Sequence, residues 1–390
     1  MKVGVVSTYS WLLKWDNYGS LLQIYALQTF LKRHGHDAFL IRTIGDRVKR
    51  KTTNRSLLRR LLSAITRPGA IARRLTRRPD RTGNRQLIAE FNAEHPRHFG
   101  DFMKRHIATT DREFTSSELV RDAPHADAYV AGSDQVWAVV SSSTFLQFGD
   151  KGAKRLAYAV SRPWSKNPEK WRDEAERAVQ GFDAISVREL EGIEVCRQIG
   201  RDDAVHVVDP VLLLDRSDYE QLLEREGALH TFATPFVLAY LVNVEDLSEV
   251  PWREMREFAE SEGGDLKVVP LQGPELLVPA EYLYVPRPAA WINAFVQCAS
   301  VVTTSYHGVL FAILMQKPFL VVLQEGASAL ENGRFMSVLK RLELEDRIYR
   351  GGESSMARQM HAPIDWEAVG AELEAFKLES SRFLVEHLSG

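Results

Sequence analysis

At 390 residues the chain is too long for one ordinary hydrophobic core and predicts two domains of ordinary size. Its 45% hydrophobic and 26% charged content is that of a globular protein, and no apolar run approaches the roughly 20 residues a helix needs to cross a bilayer, so the chain reads as soluble or peripheral. The net charge of −2 conceals an asymmetry, because residues 47–85 carry 14 Lys and Arg against the single Asp80. The first seven residues run straight into a strand pattern with no apolar stretch of signal-peptide length, which points to the cytoplasm. Cys196 and Cys298 lie far apart, with no CxxC and no neighbouring His pair. That spacing favours two buried thiols over a zinc site or a disulfide framework, and no metal is expected.

In chain order, residues 2–8 form a buried strand, and residues 19–34 have helical spacing stopped by Gly35. The loop between them is long and aromatic for a plain connection, which is the mark of a binding loop. Trp11, Trp15 and Tyr18 suit stacking on a sugar or, alternatively, stapling the loop to the domain surface. Asn17 or Ser20 is placed to cap the helix. Residues 36–41 are the second strand. Within 47–85, apolar and arginine residues take opposite helical faces, which reads first as a membrane-surface element drawn to anionic lipid. Nucleic acid is the rival reading, but the segment has no aromatic side chain to stack on a base and no nucleic-acid motif. A merely solvated insertion is the third.

The α/β rhythm returns with a strand at 128–131, followed by Gly132-Ser133-Asp134-Gln135-Val136-Trp137, which leaves Asp134 and Gln135 at a strand end. Strands at 155–160, 184–187 and 205–208 and a helix at 171–180 follow. Arg188 stands at the C-terminal edge of the 184–187 strand, where a guanidinium can fork onto a carboxylate or phosphate, or pair with Glu189 or Glu191. A polar stretch at 223–235, broken by Gly227 and Pro235, divides a first domain of residues 1–228 from a second of 229–365. In the second, strands at 236–242, 266–271 and 318–323 alternate with helices at 247–262, 289–299 and 332–342, with Arg334 near the start of the last. Residues 366–390 form a final helix with enough apolar positions to pack back across the molecule.

The stretch 301–315 opens with a β-branched run and closes as an apolar helix, so Ser305, Tyr306 and His307 fall at the C-terminal end of a strand. Open α/β sheets bind their ligands there. Gly308 leaves the first helical turn bare, so an anion can approach free N–H groups with the positive end of the helix dipole behind them. His307 titrates near neutrality and suits acid-base chemistry beside a phosphate or carboxylate; a helix-capping or core histidine is the alternative.

With these residues assembled, the chain resembles the polysaccharide pyruvyl transferase family. The resemblance covers most of the chain and rests on an ordered set: Asn17-Tyr18-Gly19-Ser20-Leu21-Leu22-Gln23, Gly132 to Trp137, Ser186-Val187-Arg188-Glu189, Asp209-Pro210, Thr304-Ser305-Tyr306-His307-Gly308 and Lys317-Pro318-Phe319. It implies two Rossmann-like domains facing across a cleft, as in GT-B glycosyltransferases, with the acceptor on the first and the donor on the second. It further implies transfer of the enolpyruvyl skeleton of phosphoenolpyruvate, a co-substrate rather than a cofactor, to a sugar as a pyruvate ketal. On that reading His307 is the general acid. The helix N-terminus disfavours its charged form by up to about 1–2 kcal/mol, whereas one substrate charge 4 Å away favours it by about 4 kcal/mol at an effective dielectric near 20. Arg188 and Arg334 would hold the donor with Ser305, Tyr306 and Gly308, while Trp15, Asn17, Tyr18 and Gln135 would face the acceptor. Asp134 would take a hydroxyl proton or orient Gln135. Several members resemble an Arg-x-His pattern where this chain has Ser305, so here either the guanidinium comes from elsewhere or the donor differs. A lipid-linked acceptor would give 47–85 its purpose at the inner membrane face. The alternatives are a nucleotide-sugar glycosyltransferase and a non-catalytic scaffold of polysaccharide assembly.

Overall fold

Strands buried on both faces have no polar face to alternate with, so they read as continuous apolar runs and pair in parallel under helices. The computed structural model, which describes residues 1–8, 17–44, 81–161, 168–324, 332–351 and 356–389 and, of 81–86 and 168–171, the backbone alone, contains two such sheets. The first comprises β1 (Lys2–Val6), β2 (Asp37–Leu40), β3 (Ala128–Ala131), β4 (Lys154–Val160), β5 (Ala184–Val187) and β6 (Val205–His206), in the order β2-β1-β3-β4-β5-β6 with every pairing parallel. The second comprises β7 (Phe236–Val242), β8 (Asp265–Leu271), β9 (Ser300–Thr303) and β10 (Phe319–Val321), in the order β10-β9-β7-β8, also parallel. All residues of β3, β5, β7, β9 and β10 are buried.

Around the first sheet lie α1 (Tyr18–Arg33), α2 (Arg81–Glu94), α3 (Phe99–His106), α4 (Ser116–Arg121), α5 (Pro168–Val179), α6 (Leu190–Gln198) and α7 (Arg216–Glu226). The second carries α8 (Trp252–Ser261), α9 (Pro288–Gln297), α10 (Tyr306–Leu314), α11 (Gly333–Arg341) and α12 (Met356–Met360), and α13 (Trp366–Leu388) closes the chain. Two Rossmann-like halves of GT-B type result. In each sheet the strand order reverses once, between β1 and β3 and between β7 and β9. A crevice forms at such a switch point, because successive connections leave on opposite faces of the sheet.

The polar stretch expected at 223–235 begins inside α7, which runs on to Glu226 and stops at Gly227 (φ 60°). From α7 the chain enters β7 directly after Pro235. The final helix returns to the first sheet: the Val208 N–H donates to Ser380 Oγ (2.9 Å), Lys154 Nζ donates to the carbonyl of His387 (3.0 Å), and Phe383 faces Tyr158. Of the basic segment, 47–80 lies outside the described residues, and 81–85 opens α2. Among the described residues no helix is long and apolar enough to cross a membrane.

The two halves share one apolar cluster, which runs from Val3 and Leu21 through Leu238 and Trp291 to Val309. Tyr18 sits at its centre, stacked on Trp291 with centroids 5.1 Å apart and planes 8° apart, and donating its hydroxyl to the carbonyl of Pro286 (2.6 Å). The expectation that Tyr18 offers an open ring to a sugar is therefore corrected. The residue is wholly buried, with its faces against aromatic neighbours and its hydroxyl already bonded.

Candidate active site

The switch points of the two sheets meet. α1 follows β1 and α10 follows β9, and the first turns of these helices touch: a Cβ built on Gly19 would lie 2.1 Å from His307 Nδ1. A side chain at 19 would fill the space the imidazole occupies, so glycine here is a fit to a ring from the other half of the molecule. Neither helix has an acidic residue in its first turn, and Ser305, the N-cap of α10, makes no side-chain capping bond. Two positive helix ends thus converge on His307, which is 6% exposed.

The motif around Gly19 divides its work by position. Asn17 caps α1, accepting from the Ser20 N–H (3.1 Å). Ser20 Oγ donates to Asp134 Oδ2 (2.7 Å). Gln23 is fully buried; its Nε2 donates to Ser7 Oγ (2.8 Å) and its Oε1 accepts from the Ser133 N–H (3.1 Å), so one amide ties the ends of β1 and β3 to α1. Buried amides must be paired, and this one specifies the register of three elements. Gly132 (φ 134°) has no alternative, since a Cβ there would meet the Tyr158 carbonyl oxygen at 1.9 Å. The turn sets Asp134, itself at φ 66°, against Ser20.

Arg188 is corrected from a rim residue to an internal one. Its side chain is wholly buried, with Nη1 donating to Asp209 Oδ2 (2.7 Å), Nη2 3.5 Å from Asp134 and Nε 3.6 Å from Glu189. The guanidinium also lies 4.4 Å from the centre of the Tyr306 ring. An isolated buried cation is costly, and three carboxylates and a ring face offset that cost. Its charge is thereby committed to protein groups. Burial disfavours the charged guanidinium, but Asp209, Glu189, Tyr306 and Asp134 together hold it even more firmly protonated than usual.

Asp209 links this cluster to the histidine. Its Oδ2 faces His307 Nε2 at 3.6 Å, its Oδ1 accepts from the Val211 N–H (3.1 Å), and Ser133 Oγ lies 3.4 Å from Oδ2. Burial pushes the Asp209 carboxyl up, but His307, Arg188 and the Val211 amide outweigh it and hold it well below its ordinary value of 3.8. A carboxylate facing one nitrogen of an imidazole orients the ring. Counting Arg188 against Asp134, Glu189 and Asp209 gives +1 − 3 = −2, so the cluster favours a cation beside it.

Two further expectations change. Gly308 does not clear a path for ligand: a Cβ there would strike Thr303 Oγ1 at 2.3 Å, an oxygen that donates to the Tyr240 carbonyl (2.7 Å) and accepts from the Ser305 N–H (3.0 Å). The glycine lets α10 pack on its own strand. Tyr306 turns inward over Arg188, and burial raises its hydroxyl far above the usual range. Ser305 is buried beside Tyr240, whose hydroxyl burial pushes up and Ser305 draws partly back. Arg334 is half-buried in the first turn of α11, near Tyr306, and Gln135 is half-buried beside Asp134. Trp15 lies outside the described residues. Gly19, Gln23 and Asp209 appeared in the sequence as motif letters without roles, and Ser20 only as a candidate cap; the signal that marks them is their juxtaposition with His307 and Asp134. Among the described residues no group of three or more His, Cys, Asp or Glu could hold a metal ion.

Two facing parallel sheets with a histidine-carboxylate pair at their joined switch points define a GT-B-type α/β transferase. The model of the polysaccharide pyruvyl transferase family matches residues 17–325, and the chain belongs to that family. A comparison with curated proteins finds no match. Among solved structures, UDP-GlcNAc 2-epimerase from Neisseria meningitidis bound to UDP-GlcNAc is similar over 100% of this chain and 99% of that one, at 12% identity and a TM-score of 0.46. UDP-GlcNAc 2-epimerase from Methanocaldococcus jannaschii is similar over 100% and 99%, at 10% identity and a TM-score of 0.49. UGT89C1 from Arabidopsis thaliana, complexed with quercetin, is similar over 99% and 98%, at 12% identity and a TM-score of 0.46. The fold assignment rests on the two sheets themselves.

Two substitutions test this geometry. Gly19→Ala must displace the His307 ring by an ångström or more, and pyruvyl transfer is expected to fall about a hundredfold while the melting temperature changes little; wild-type turnover would show that the ring position is unimportant. Asp209→Ala strands the buried Arg188 charge and is expected to cost about 3–5 kcal/mol in denaturant unfolding. Because the folded carboxyl titrates below its unfolded value of 3.8, its stabilisation is complete above that pH and is lost as pH falls through the folded value. The gap between wild type and variant should therefore narrow in acid; a gap unchanged as the pH falls well below 3.8 would contradict the assignment.

Proposed function

We propose that the chain transfers the enolpyruvyl skeleton of phosphoenolpyruvate to two hydroxyls of one sugar of a cell-surface polysaccharide precursor, with inorganic phosphate as the second product. One observation carries this reading: two helix N-termini, each without an acidic residue in its first turn, converge from the two sheets on a histidine backed by a buried carboxylate. Such helix ends suit a donor that bears both a phosphate and a carboxylate. On this reading Arg334, in the first turn of α11 near Tyr306, takes the donor-binding role.

The chemistry then runs through the chain's own groups. Asp209 holds Nε2 of His307, and Nδ1 delivers a proton to the methylene carbon of the enol ether. The electron pair of the C=C bond forms the new C–H bond, which leaves an oxocarbenium ion at C2. The net-negative cluster of Asp134, Glu189 and Asp209 around Arg188 stabilises that cation. One sugar hydroxyl adds to C2 and loses its proton to Asp134, whose Oδ2 is oriented by Ser20. Phosphate departs with the C2–O electron pair and regenerates the oxocarbenium ion. The second hydroxyl adds and loses its proton to the departed phosphate, closing the ketal. On this reading Asn17, the N-cap of α1, and Gln135, next to Asp134, face the acceptor. A lipid-linked acceptor would place the reaction at the inner membrane face, with the basic segment 47–85 against anionic lipid.

The test is phosphate release from phosphoenolpyruvate with a mixed pool of lipid-linked and free oligosaccharide acceptors, comparing the intact chain with His307→Ala. Release that depends on acceptor and drops by two orders of magnitude or more in the variant is expected. Absence of release with every acceptor, together with thermal stabilisation by a nucleoside diphosphate and none by phosphoenolpyruvate, would overturn the reading in favour of a nucleotide-sugar transferase.

A further inference from the structure

A second polar feature stands well away from the histidine. Thirteen residues separate Gly19 from Lys32 along α1, which puts Lys32 about 20 Å from the site at a rise of 1.5 Å per residue. There the ends of three helices border a groove of about 440 Å³, a volume in the range of roughly 300–1,000 Å³ typical of small-ligand sites. Lys32 and Arg33 come from α1, Arg105 and His106 from α3, and Arg225 from α7, with Tyr25 buried beneath them and no acidic side chain in the lining.

Basic residues in a last helical turn commonly complement the helix dipole, and that is the plain explanation to be tested against the contacts. The carbonyl ends are already served by main-chain donors: the N–H groups of His34, Ile107 and Gly227 bond back into α1, α3 and α7. The cationic side chains are therefore not consumed in capping. Two of them are instead braced from behind. Arg33 Nη1 donates to Asp218 Oδ2 (2.8 Å), while Arg105 donates from Nε and Nη2 to the two oxygens of Glu226 (2.9 and 2.6 Å), which also accept from His106 Nε2 (2.7 Å). Lys32 and Arg225 make no ion pair among the described residues. Four fixed cations against these two carboxylates leave +4 − 2 = +2, before any charge on His106.

We propose that this groove binds a phosphoryl-bearing anion, whose chemistry a lipid headgroup and a free phosphate compound share. The exposed Lys32 and Arg225 supply the charge that draws the oxyanion, and the guanidiniums of Arg33 and Arg105, held by Asp218 and Glu226, keep further positive charge at the wall of the groove.

The experiment compares the full chain with Lys32→Ala/Arg225→Ala, whose exposed side chains make no hydrogen bond or ion pair among the described residues. One arm titrates inorganic pyrophosphate and follows the His106 ring resonance, which reports on the groove and not on His307. The other measures co-flotation with phosphatidylglycerol vesicles against phosphatidylcholine vesicles. An affinity at least tenfold weaker in the variant for pyrophosphate identifies a free phosphate compound as the ligand class, and the same loss for anionic vesicles alone identifies a headgroup. Pyruvyl transfer to a soluble acceptor should be unchanged in either case. Equal responses of both proteins to both probes would overturn the proposal.

Discussion

A single buried carboxylate, Asp209, is the constraint on which the rest of the site depends. Placing an anion in a wholly enclosed position costs several kcal/mol unless partners answer each of its lone pairs. Here the answers come from separate parts of the chain: Arg188 at the end of β5, the Val211 amide in the turn that follows Asp209, Ser133 at the end of β3, and His307 from the second sheet. Each partner is fixed in turn, Ser133 by Gln23 and the Ala159 carbonyl and the backbone before Asp209 by Ser380 of α13. The carboxylate thus links the two halves at the candidate site. It also explains why α13 must cross back to the first sheet: without Ser380 the Val208 N–H, next to Asp209, would lose its bond.

Much of this was legible in the sequence, and the parts that were not have a common cause. The strands and the histidine could be read because a parallel strand advertises itself as an apolar run and because the residues after β9 occupy a strand end by position alone. Asn17 was legible as a cap for the same local reason. The roles of Gly19 and Asp209 were not, since a glycine in a first helical turn has no local signature that says an imidazole from the other sheet will lie on it. Arg188 misled in the opposite sense. Its position at a strand end was read correctly, but whether a guanidinium turns out to solvent or in toward carboxylates depends on Asp134, Glu189 and Asp209, which only the folded chain assembles. Tyr18 was taken for loop and proved to begin α1 inside the core. Helices such as α7, with only Tyr219, Leu222 and Leu223 as large buried apolar side chains in an otherwise charged run, escaped notice because so narrow an apolar stripe resembles a polar linker.

The absence of an arginine at position 305 takes on a definite meaning in this arrangement. Tyr306 covers the Arg188 guanidinium, and Ser305 packs beside Tyr240, so the strand end has been filled with neutral groups while positive charge is supplied from the front by helix ends. Charge contributed by backbone dipoles does not titrate.

The stacked pair Tyr18 and Trp291 bears on how the whole molecule comes apart. Because one apolar cluster runs unbroken through both sheets, neither half can melt while the other keeps its buried surface, and heat should meet a single cooperative unit. The seam that carries the site is thus among the last places to loosen, and a protein losing activity on warming would be losing its entire fold rather than the alignment of its two halves.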